Sequence, residues 1–226
     1  MSTANLRTAM LAVLWVALPP ALANASSSRE WHFEVFLDDD PIGFHSFRLS
    51  GAGAMRELRS EARFSVKLLG FTIYDYAHRN FELWRHDCLQ RIEASTDDNG
   101  EDFHVRGAIE GEQLVLENGT GNSILPGCVM TFAYWNPAIL SQQRLLNTQT
   151  GEYLDVSVQQ LGEKSLQLQG RDMLALHYRI RTGESEIDLW YSTDRDWLAL
   201  STATSGGELR YRRVPAAAGT GSGYGD

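Results

Sequence analysis

The sequence lacks the short motifs by which many enzyme and metal-binding families are recognised. It contains no Gly-x-Ser-x-Gly nucleophile elbow, and its six histidines form no His-x-His or His-Glu-x-x-His arrangement. It also has no glycine-rich loop that precedes a helix and could cradle a phosphate. These absences exclude the common signatures of serine hydrolases, zinc enzymes and nucleotide-binding proteins. We therefore expect no metal centre and no cofactor.

Cysteine is also scarce, because Cys88 and Cys128 are the only two in 226 residues. Two cysteines alone cannot supply the four ligands of a usual structural zinc site. In an oxidising compartment they could form a disulfide, which would add about 4 kcal/mol of stability by closing a loop of that length. Two buried, unpaired thiols are the alternative, since spacing along the chain does not define pairing geometry.

Basic side chains are outnumbered, with 20 Lys and Arg against 29 Asp and Glu and a formal net charge of −9. An acidic protein repels nucleic acid and anionic lipid head groups. The charge balance therefore disfavours nucleic acid as a partner.

Long apolar runs are missing too, and the most apolar one lies near the start of the chain. Ala9–Leu18 is an uncharged run of ten residues that follows Arg7, and small residues at Ala23 and Ala25 follow two prolines. A membrane-spanning helix needs about 20 apolar residues. The layout is typical of a cleaved signal peptide at residues 1–25, cut before Ser26. We expect a periplasmic or secreted mature chain without a transmembrane segment; a membrane anchor is the alternative interpretation.

What the sequence does contain, from residue 29 onward, is short alternating runs separated by turn residues. The stretch from Trp31 to Leu37 places apolar side chains on one face with period two, and a turn at 38–41 leads into a second strand. About a dozen such runs continue to residue 214. They predict an all-β domain over 29–214, in which one antiparallel meander curls into a barrel or half-barrel. A β-sandwich is the alternative.

Two segments depart from the strand pattern. Asn136 and Pro137 are typical of a helix start, so we predict one short helix near 137–146 that lies on the sheet. The stretch from Asn118 to Gly127 is interpreted as a loop. The small, glycine-rich residues 215–226 are predicted to be a disordered tail.

The segment Phe71–Arg85 (FTIYDYAHRNFELWR) is the most informative strand. One face carries Tyr74, Tyr76, His78, Glu82 and Trp84, so that it is aromatic and polar together. Such side chains suit the wall of a cavity that is apolar overall but offers a few hydrogen bonds. They also suit a simply packed interior, and the sequence leaves both readings open.

Several short motifs resemble a bacterial exported family, DUF6134, over about residues 30 to 213. They are Trp31-x-Phe33-x-Val35, Ile42-Gly43-x-His45-x-Phe47, Tyr74-x-Tyr76-x-His78, Glu82-x-Trp84, Thr96-Asp97-Asp98-Asn99-Gly100, Leu125-Pro126-Gly127, Tyr134-Trp135-Asn136-Pro137, Leu146-Asn147-Thr148-x-x-Gly151 and Asp188-Leu189-Trp190-Tyr191. The family is similar in layout to another exported group, DUF3108. The resemblance implies export and an all-β fold, and it implies no catalytic residue.

The functional prediction is a small β-barrel or half-barrel that binds or carries an apolar or lipid-like small molecule. The segment from Pro137 would act as a lid or plug over the ligand. The predicted ligand-binding residues are Tyr74, Tyr76, His78, Glu82, Trp84, Trp135 and Trp190.

Two alternatives come from other functional classes. One is an envelope hydrolase or isomerase that uses His78 and Glu82 as acid and base. The other is an envelope assembly protein that offers a sheet edge to a partner. We consider an enzyme less favoured, because the two side chains are about 13 Å apart along one strand.

Overall fold

The computed structural model describes residues 27–68, 71–168 and 170–215. The predicted signal peptide, its cleavage site and the predicted tail beyond Pro215 lie outside the described residues. Within them the chain is all-β, as predicted, and contains one short 3₁₀ helix. No helix among these residues is long and apolar enough to cross a membrane.

Fifteen strands follow one another along the chain. Their bounds are β1 Ser27–Leu37, β2 Asp40–Ala52, β3 Met55–Leu68, β4 Phe71–Arg85, β5 Cys88–Asp98, β6 Glu101–Glu110, β7 Gln113–Asn118, β8 Gly121–Pro126, β9 Arg144–Leu146, β10 Tyr153–Asp155, β11 Ser157–Leu168, β12 Arg171–Thr182, β13 Ser185–Ser192, β14 Trp197–Thr204 and β15 Gly207–Val214. Strands β9 and β10 form a separate two-stranded sheet, and the other thirteen form one antiparallel sheet.

The large sheet has the order β11-β12-β13-β14-β15-β1-β2-β3-β4-β5-β6-β7-β8. Two meanders are therefore joined where the first strand pairs with the last, with Phe33 opposite Arg213 and Val35 opposite Tyr211. Strands β8 and β11 lie at the two edges and do not pair with each other in the described part of the chain. The prediction of one antiparallel sheet is confirmed, and the sheet stays open rather than closing into a barrel.

Both ends of this sheet face one interior. Leu114 and Leu116 of β7 belong to the same core cluster as Ile180 of β12 and Leu189 of β13, although these strands lie far apart in the strand order. The sheet must therefore wrap around a shared core. The inner face results from the alternation of side chains along each strand. In β1, Trp31, Phe33 and Val35 are buried and the residues between them are not.

A crossover segment, residues 127–156, connects the two edges of the sheet through this interior. Seven of its apolar residues are buried within the main core, namely Val129, Met130, Ala133, Trp135, Ile139, Leu145 and Leu146. A disulfide between Cys88 and Cys128 ties the beginning of the segment to the first residue of β5. The pairing that the sequence left open is thus present, and it fixes the crossover segment to the sheet.

The predicted helix at 137–146 is wrong in its length and type. Asn136 does cap it, because its side-chain oxygen accepts a hydrogen bond from the backbone N–H of Ala138 at 3.1 Å. The 3₁₀ helix then ends at Ser141, and Gln142 is already extended. The following residues pair instead, as β9 with β10. This pairing satisfies backbone groups of the buried residues Leu145 and Leu146 that a short helix end would leave unbonded.

The stretch interpreted as a loop, from Asn118 to Gly127, contains β8. Asn118 pairs with Gly121 across a two-residue turn, so the chain returns at once and Leu125 lies opposite Leu114. The glycine and asparagine residues at its beginning are typical of loops, and for this reason the strand was predicted as a loop.

Candidate functional site

A cavity of about 440 Å³ lies between the inner face of the sheet and the crossover segment. The crossover segment contributes Thr131 to Trp135 and Asn147 to Gln149, and strands β12 to β15 complete the wall. Exposed Gly183 and Ser185 also border the cavity, so it opens to the surface at the turn between β12 and β13. The inner faces of β2, β3 and β4 contribute His45, Phe47, Leu58, Ser60, Tyr76, His78, Asn80 and Glu82.

The cavity follows strand β4. Tyr76, His78, Asn80 and Glu82 point to the same side because they are two residues apart, and together they cover about 20 Å of the strand. Tyr76 is partly exposed, whereas Glu82 is 1% exposed. The cavity is therefore elongated, with a partly open end at Tyr76 and a buried end at Glu82.

Four of the seven predicted ligand-binding residues line this cavity, namely Tyr76, His78, Glu82 and Trp135. Trp84 is fully buried behind it and packs edge-on against Trp135, with ring centroids 5.5 Å apart. Tyr74 is not among the lining residues, and its hydroxyl donates a hydrogen bond to Asp98 at 2.7 Å. The Asp98 carboxylate and the Tyr76 hydroxyl both bond to the side chain of Gln149 in the crossover segment.

Trp190 does not line the cavity, which corrects its predicted place. It stacks on His177 on the opposite face of the sheet, with ring centroids 4.6 Å apart. Its neighbours Leu189 and Tyr191 face inward instead and are buried. Because successive side chains of a strand alternate, only one of the adjacent aromatic residues could reach the interior.

His78 is a buried, neutral histidine. Its Nδ1 lies 2.8 Å from the Thr96 hydroxyl, and its Nε2 lies 3.5 Å from the Thr148 hydroxyl of the crossover segment. Burial lowers the pKa of His78 to about 4, because the charged imidazolium would lose its hydration. At neutral pH the imidazole can therefore donate one hydrogen bond and accept another, but it carries no charge.

A second histidine, His45 of β2, lines the same cavity and was missed as a site residue. It and His78 lie on either side of Ala62, which pairs with both. Its Nδ1 is hydrogen-bonded to the Tyr211 hydroxyl at 3.2 Å. Burial, and secondarily the proximity of His78, hold the pKa of His45 well below its usual value. Register between strands, which the sequence does not display, brings the two together.

Glu82 is the buried acid of the site. Its two carboxylate oxygens accept hydrogen bonds from the Asn80 amide and the Trp84 indole N–H, each at 2.9 Å. Burial raises the pKa of Glu82, and these two hydrogen bonds together with the nearby Thr131 hydroxyl partly oppose that rise. Neither His78 nor His45 contacts this carboxyl group in the hydrogen bonds that the described residues form. The two side chains that the enzyme hypothesis uses therefore have separate hydrogen-bond partners.

Several unpartnered polar atoms belong to residues that line the cavity. Among the described residues, five buried side-chain nitrogen or oxygen atoms have no hydrogen-bond partner, and four of them belong to residues that line this space. Buried polar atoms are normally paired, so such a concentration calls for an explanation. The four are His45 Nε2, Asn80 Oδ1, Thr131 Oγ1 and Trp135 Nε1.

Aromatic rings form much of the remaining wall. Tyr211 lies within 5.7 Å of the His45 ring between centroids, and Tyr76 stacks near His78 at 6.4 Å. The hydroxyl of Tyr191 donates to the backbone oxygen of Tyr134 and holds the crossover segment against β13. The lining rings are Phe47, Tyr76, Phe132, Tyr134, Trp135 and Tyr211. The site thus combines flat apolar surfaces with a few fixed polar atoms, as small-molecule pockets do.

No group of three or more His, Cys, Asp or Glu side chains that could hold a metal ion occurs among the described residues. The lining of the cavity accordingly offers hydrogen bonds, ring faces and one carboxyl group rather than a ligand set for a metal.

Comparisons with known proteins agree with this picture of the fold. The family model described as "Domain of unknown function (DUF6134)" matches residues 33–214. No curated protein matches the sequence. The structure is similar to the crystal structure of a beta-barrel-like protein of domain of unknown function DUF1849 from Brucella abortus, with a TM-score of 0.60 and 10% identity. The match covers 82% of this chain and 94% of that chain, and at this identity it shows the fold alone.

Proposed function

The chain belongs to the DUF6134 family, and we propose that it is an exported protein that binds an elongated, largely apolar small molecule inside its curved sheet. The ligand would lie along β4, between the sheet and the crossover segment. The single observation that supports this most is that four unpartnered buried polar atoms belong to residues that line one open cavity of about 440 Å³. A ligand would supply both the apolar contacts and the missing partners.

The size and shape of the cavity favour a chain-like molecule. Its volume falls in the range of about 300–1,000 Å³ that small-molecule sites occupy. Its length along β4 exceeds what a compact metabolite requires, and ring faces line it from Tyr76 inward. The crossover segment would act as a plug that shapes the ligand space, since the disulfide at Cys128 fixes its beginning to the sheet.

Export is part of the proposal. It depends on the signal peptide predicted at residues 1–25, and the Cys88–Cys128 disulfide supports it. Disulfides persist in the periplasm and outside the cell and are rare in the cytosol. The binding site would therefore be loaded in the cell envelope or beyond it.

The experiment measures binding of the apolar fluorescent probe N-phenyl-1-naphthylamine to the full chain purified from the periplasm. We expect saturable binding that Ser60→Leu weakens at least tenfold. Ser60 is buried, lines the cavity and forms no side-chain hydrogen bond among those the described residues show, so a larger apolar side chain fills the ligand space. Ser95→Leu, at an exposed position of β5, is the matched control and should bind like the wild type.

Native mass spectrometry and solvent extraction of the same material should recover a co-purifying amphiphile. Equal probe binding by both leucine variants, or an empty wild-type protein across several growth conditions, would count against a carrier. The other two hypotheses have less support. His78 and Glu82 have separate hydrogen-bond partners, and the edges β8 and β11 are open but nothing indicates what would cover them.

A further inference from the structure

The charges around the cavity are one-sided. Among its described lining residues there is no lysine or arginine, and Glu82 is the only carboxyl group. The two lining histidines, His45 and His78, are held neutral by burial. A ligand with an anionic head group would therefore find no positive partner and would face a buried acid. A ligand with a cationic group would find a potential counter-ion at the buried end.

Glu82 has no positively charged partner among the described residues. Both of its hydrogen bonds come from neutral groups, and among the described residues it forms no ion pair. Arg56 lies over the Trp135 ring at 4.9 Å and is paired with Asp87. A buried carboxylate without a cation is costly, and a cation that enters the cavity would remove that cost.

Free acceptor atoms lie beside Glu82. Asn80 donates its amide N–H to Glu82, which leaves its Oδ1 without a partner, and the Thr131 hydroxyl, which forms no hydrogen bond of normal geometry, lies near the Glu82 carboxyl group. Asn80 is 8% exposed and Thr131 is 1% exposed, so bulk water does not serve them. An alkylammonium group has three N–H donors and no acceptor, and it matches this set of oxygens. The indole N–H of Trp135 is a donor and would bond to a ligand oxygen or to a water.

Ring faces near the buried end add to the attraction for a positive charge. Trp135, Tyr134 and Phe47 all line the cavity, and Arg56 already covers one face of the Trp135 ring. The face of an aromatic ring carries negative electrostatic potential and attracts cations, more strongly when water is excluded. The same rings offer nothing comparable to a carboxylate.

From this geometry we infer that the cavity selects amphiphiles with a cationic amine head group, which Glu82 and Asn80 hold at the buried end while the apolar chain extends along β4 toward Tyr76. This inference rests on the proposed function and narrows it to one class of ligand. It predicts a preference among molecules that differ only in their head group.

The test displaces the bound probe with decylamine, decanol and decanoate at pH 7, where the amine is positive and the carboxylate negative. Wild-type protein should bind decylamine at least tenfold more tightly than decanol, and decanoate most weakly. Glu82→Gln should reduce decylamine binding to the level of decanol and change decanol binding less than twofold. The Asn80 amide can rotate to bond the new glutamine, so the variant keeps its local hydrogen bonds.

Glu93→Gln is the matched control, because it removes the same charge from an exposed position on β5. It should leave all three affinities unchanged. Equal binding of amine and alcohol, or tightest binding of decanoate, would overturn the amine preference and leave the carrier proposal standing. Failure of the probe and of all three amphiphiles to bind would overturn both. The wild-type series alone decides the preference if Glu82→Gln does not fold.

Discussion

Single residues in the interior carry an energetic cost that shows in the pH dependence of folding. His78 is 5% exposed, and its hydrogen bonds go to two hydroxyl groups rather than to a carboxylate. In the unfolded chain its imidazole regains its ordinary pKa of 6.5, whereas burial holds it near 4 in the folded protein. The unfolded state therefore binds the proton first as the pH falls, and folding is weakened between these two values.

The first prediction follows from this difference in pKa. The free energy of unfolding should fall by about 2 kcal/mol between pH 7 and pH 5 through His78 alone. Urea denaturation of wild type and His78→Gln at both pH values measures it, and the variant should lose that part of the pH dependence. His104→Gln, at an exposed position of β6, is the control.

Glu82 acts in the opposite direction, since its raised pKa makes the folded state more stable as the pH falls. Comparison of the variant with the wild type separates the two effects, because Glu82 is present in both. An unchanged pH dependence in His78→Gln would show that the imidazole is hydrated in the folded protein.

At the scale of elements, the crossover segment is the part of the fold that shapes the site. It is attached at its beginning by Cys128, in its middle by the hydrogen bond from Tyr191 to Tyr134 and near its end by that from Asn118 to Thr150. Its buried apolar residues complete the core, and its polar and aromatic residues line the cavity. Loosening it should therefore reduce stability and ligand binding together.

The second prediction concerns the disulfide. The double variant Cys88→Ser, Cys128→Ser should lose about 4 kcal/mol of unfolding free energy, because the unfolded chain regains the freedom of a loop of about 40 residues. Urea denaturation measures the loss, and limited proteolysis should cut first within residues 127–156. Reductant should weaken the wild type to a similar degree and leave the double variant unaffected. A double variant as stable as the oxidised protein would contradict this role.

The sequence predicted elements well where one face of a strand is buried. Trp31, Phe33 and Val35 alternate with polar residues, and β1 forms as expected. Prediction failed where tertiary contacts determine the secondary structure. Leu145 and Leu146 resemble the end of a helix, but pairing with β10 makes them a strand.

The site residues also divide into those that alternation along a strand predicts and those that depend on tertiary contacts. Tyr76, His78 and Glu82 were found because they share one face of β4, whereas His45 and Thr131 come from elements that only the fold brings near. Trp190 was misplaced because adjacent aromatic residues of a strand cannot both face inward. The face of a strand can be read from alternation, but its cross-strand neighbours depend on register and on the path of the crossover segment.

At the scale of the whole molecule, the open sheet gives a graded resistance to local unfolding. Strands β1 and β15 lie in the middle of the order, each between two neighbours, whereas β8 and β11 have a neighbour on one side only. Val35 is fully buried, while Ile124 of β8 is 64% exposed. The centre should therefore open only with global unfolding, and the edges through local fluctuations.

The third prediction is the corresponding order of amide exchange. Hydrogen exchange should be slowest for the amides of β1 and β15 and fastest among the strands for those of β8 and β11. The Ser95→Leu variant serves as a reference, because its exposed change should leave this order intact. Edge amides as protected as those of Phe33 would indicate that another chain covers the edges in solution.

The pairing of β1 with β15 also sets the timing of assembly during biosynthesis. His32 must find Val214, so the middle of the sheet is completed by a pairing between the first and the last strand of the described residues. A ribosome that stops early, or a protease that trims the C-terminal strand, would remove an inner strand rather than an outer one. Such a shortened chain should be left with two halves of the large sheet that no strand pairing joins, so losing one strand would cost the continuity of the whole sheet.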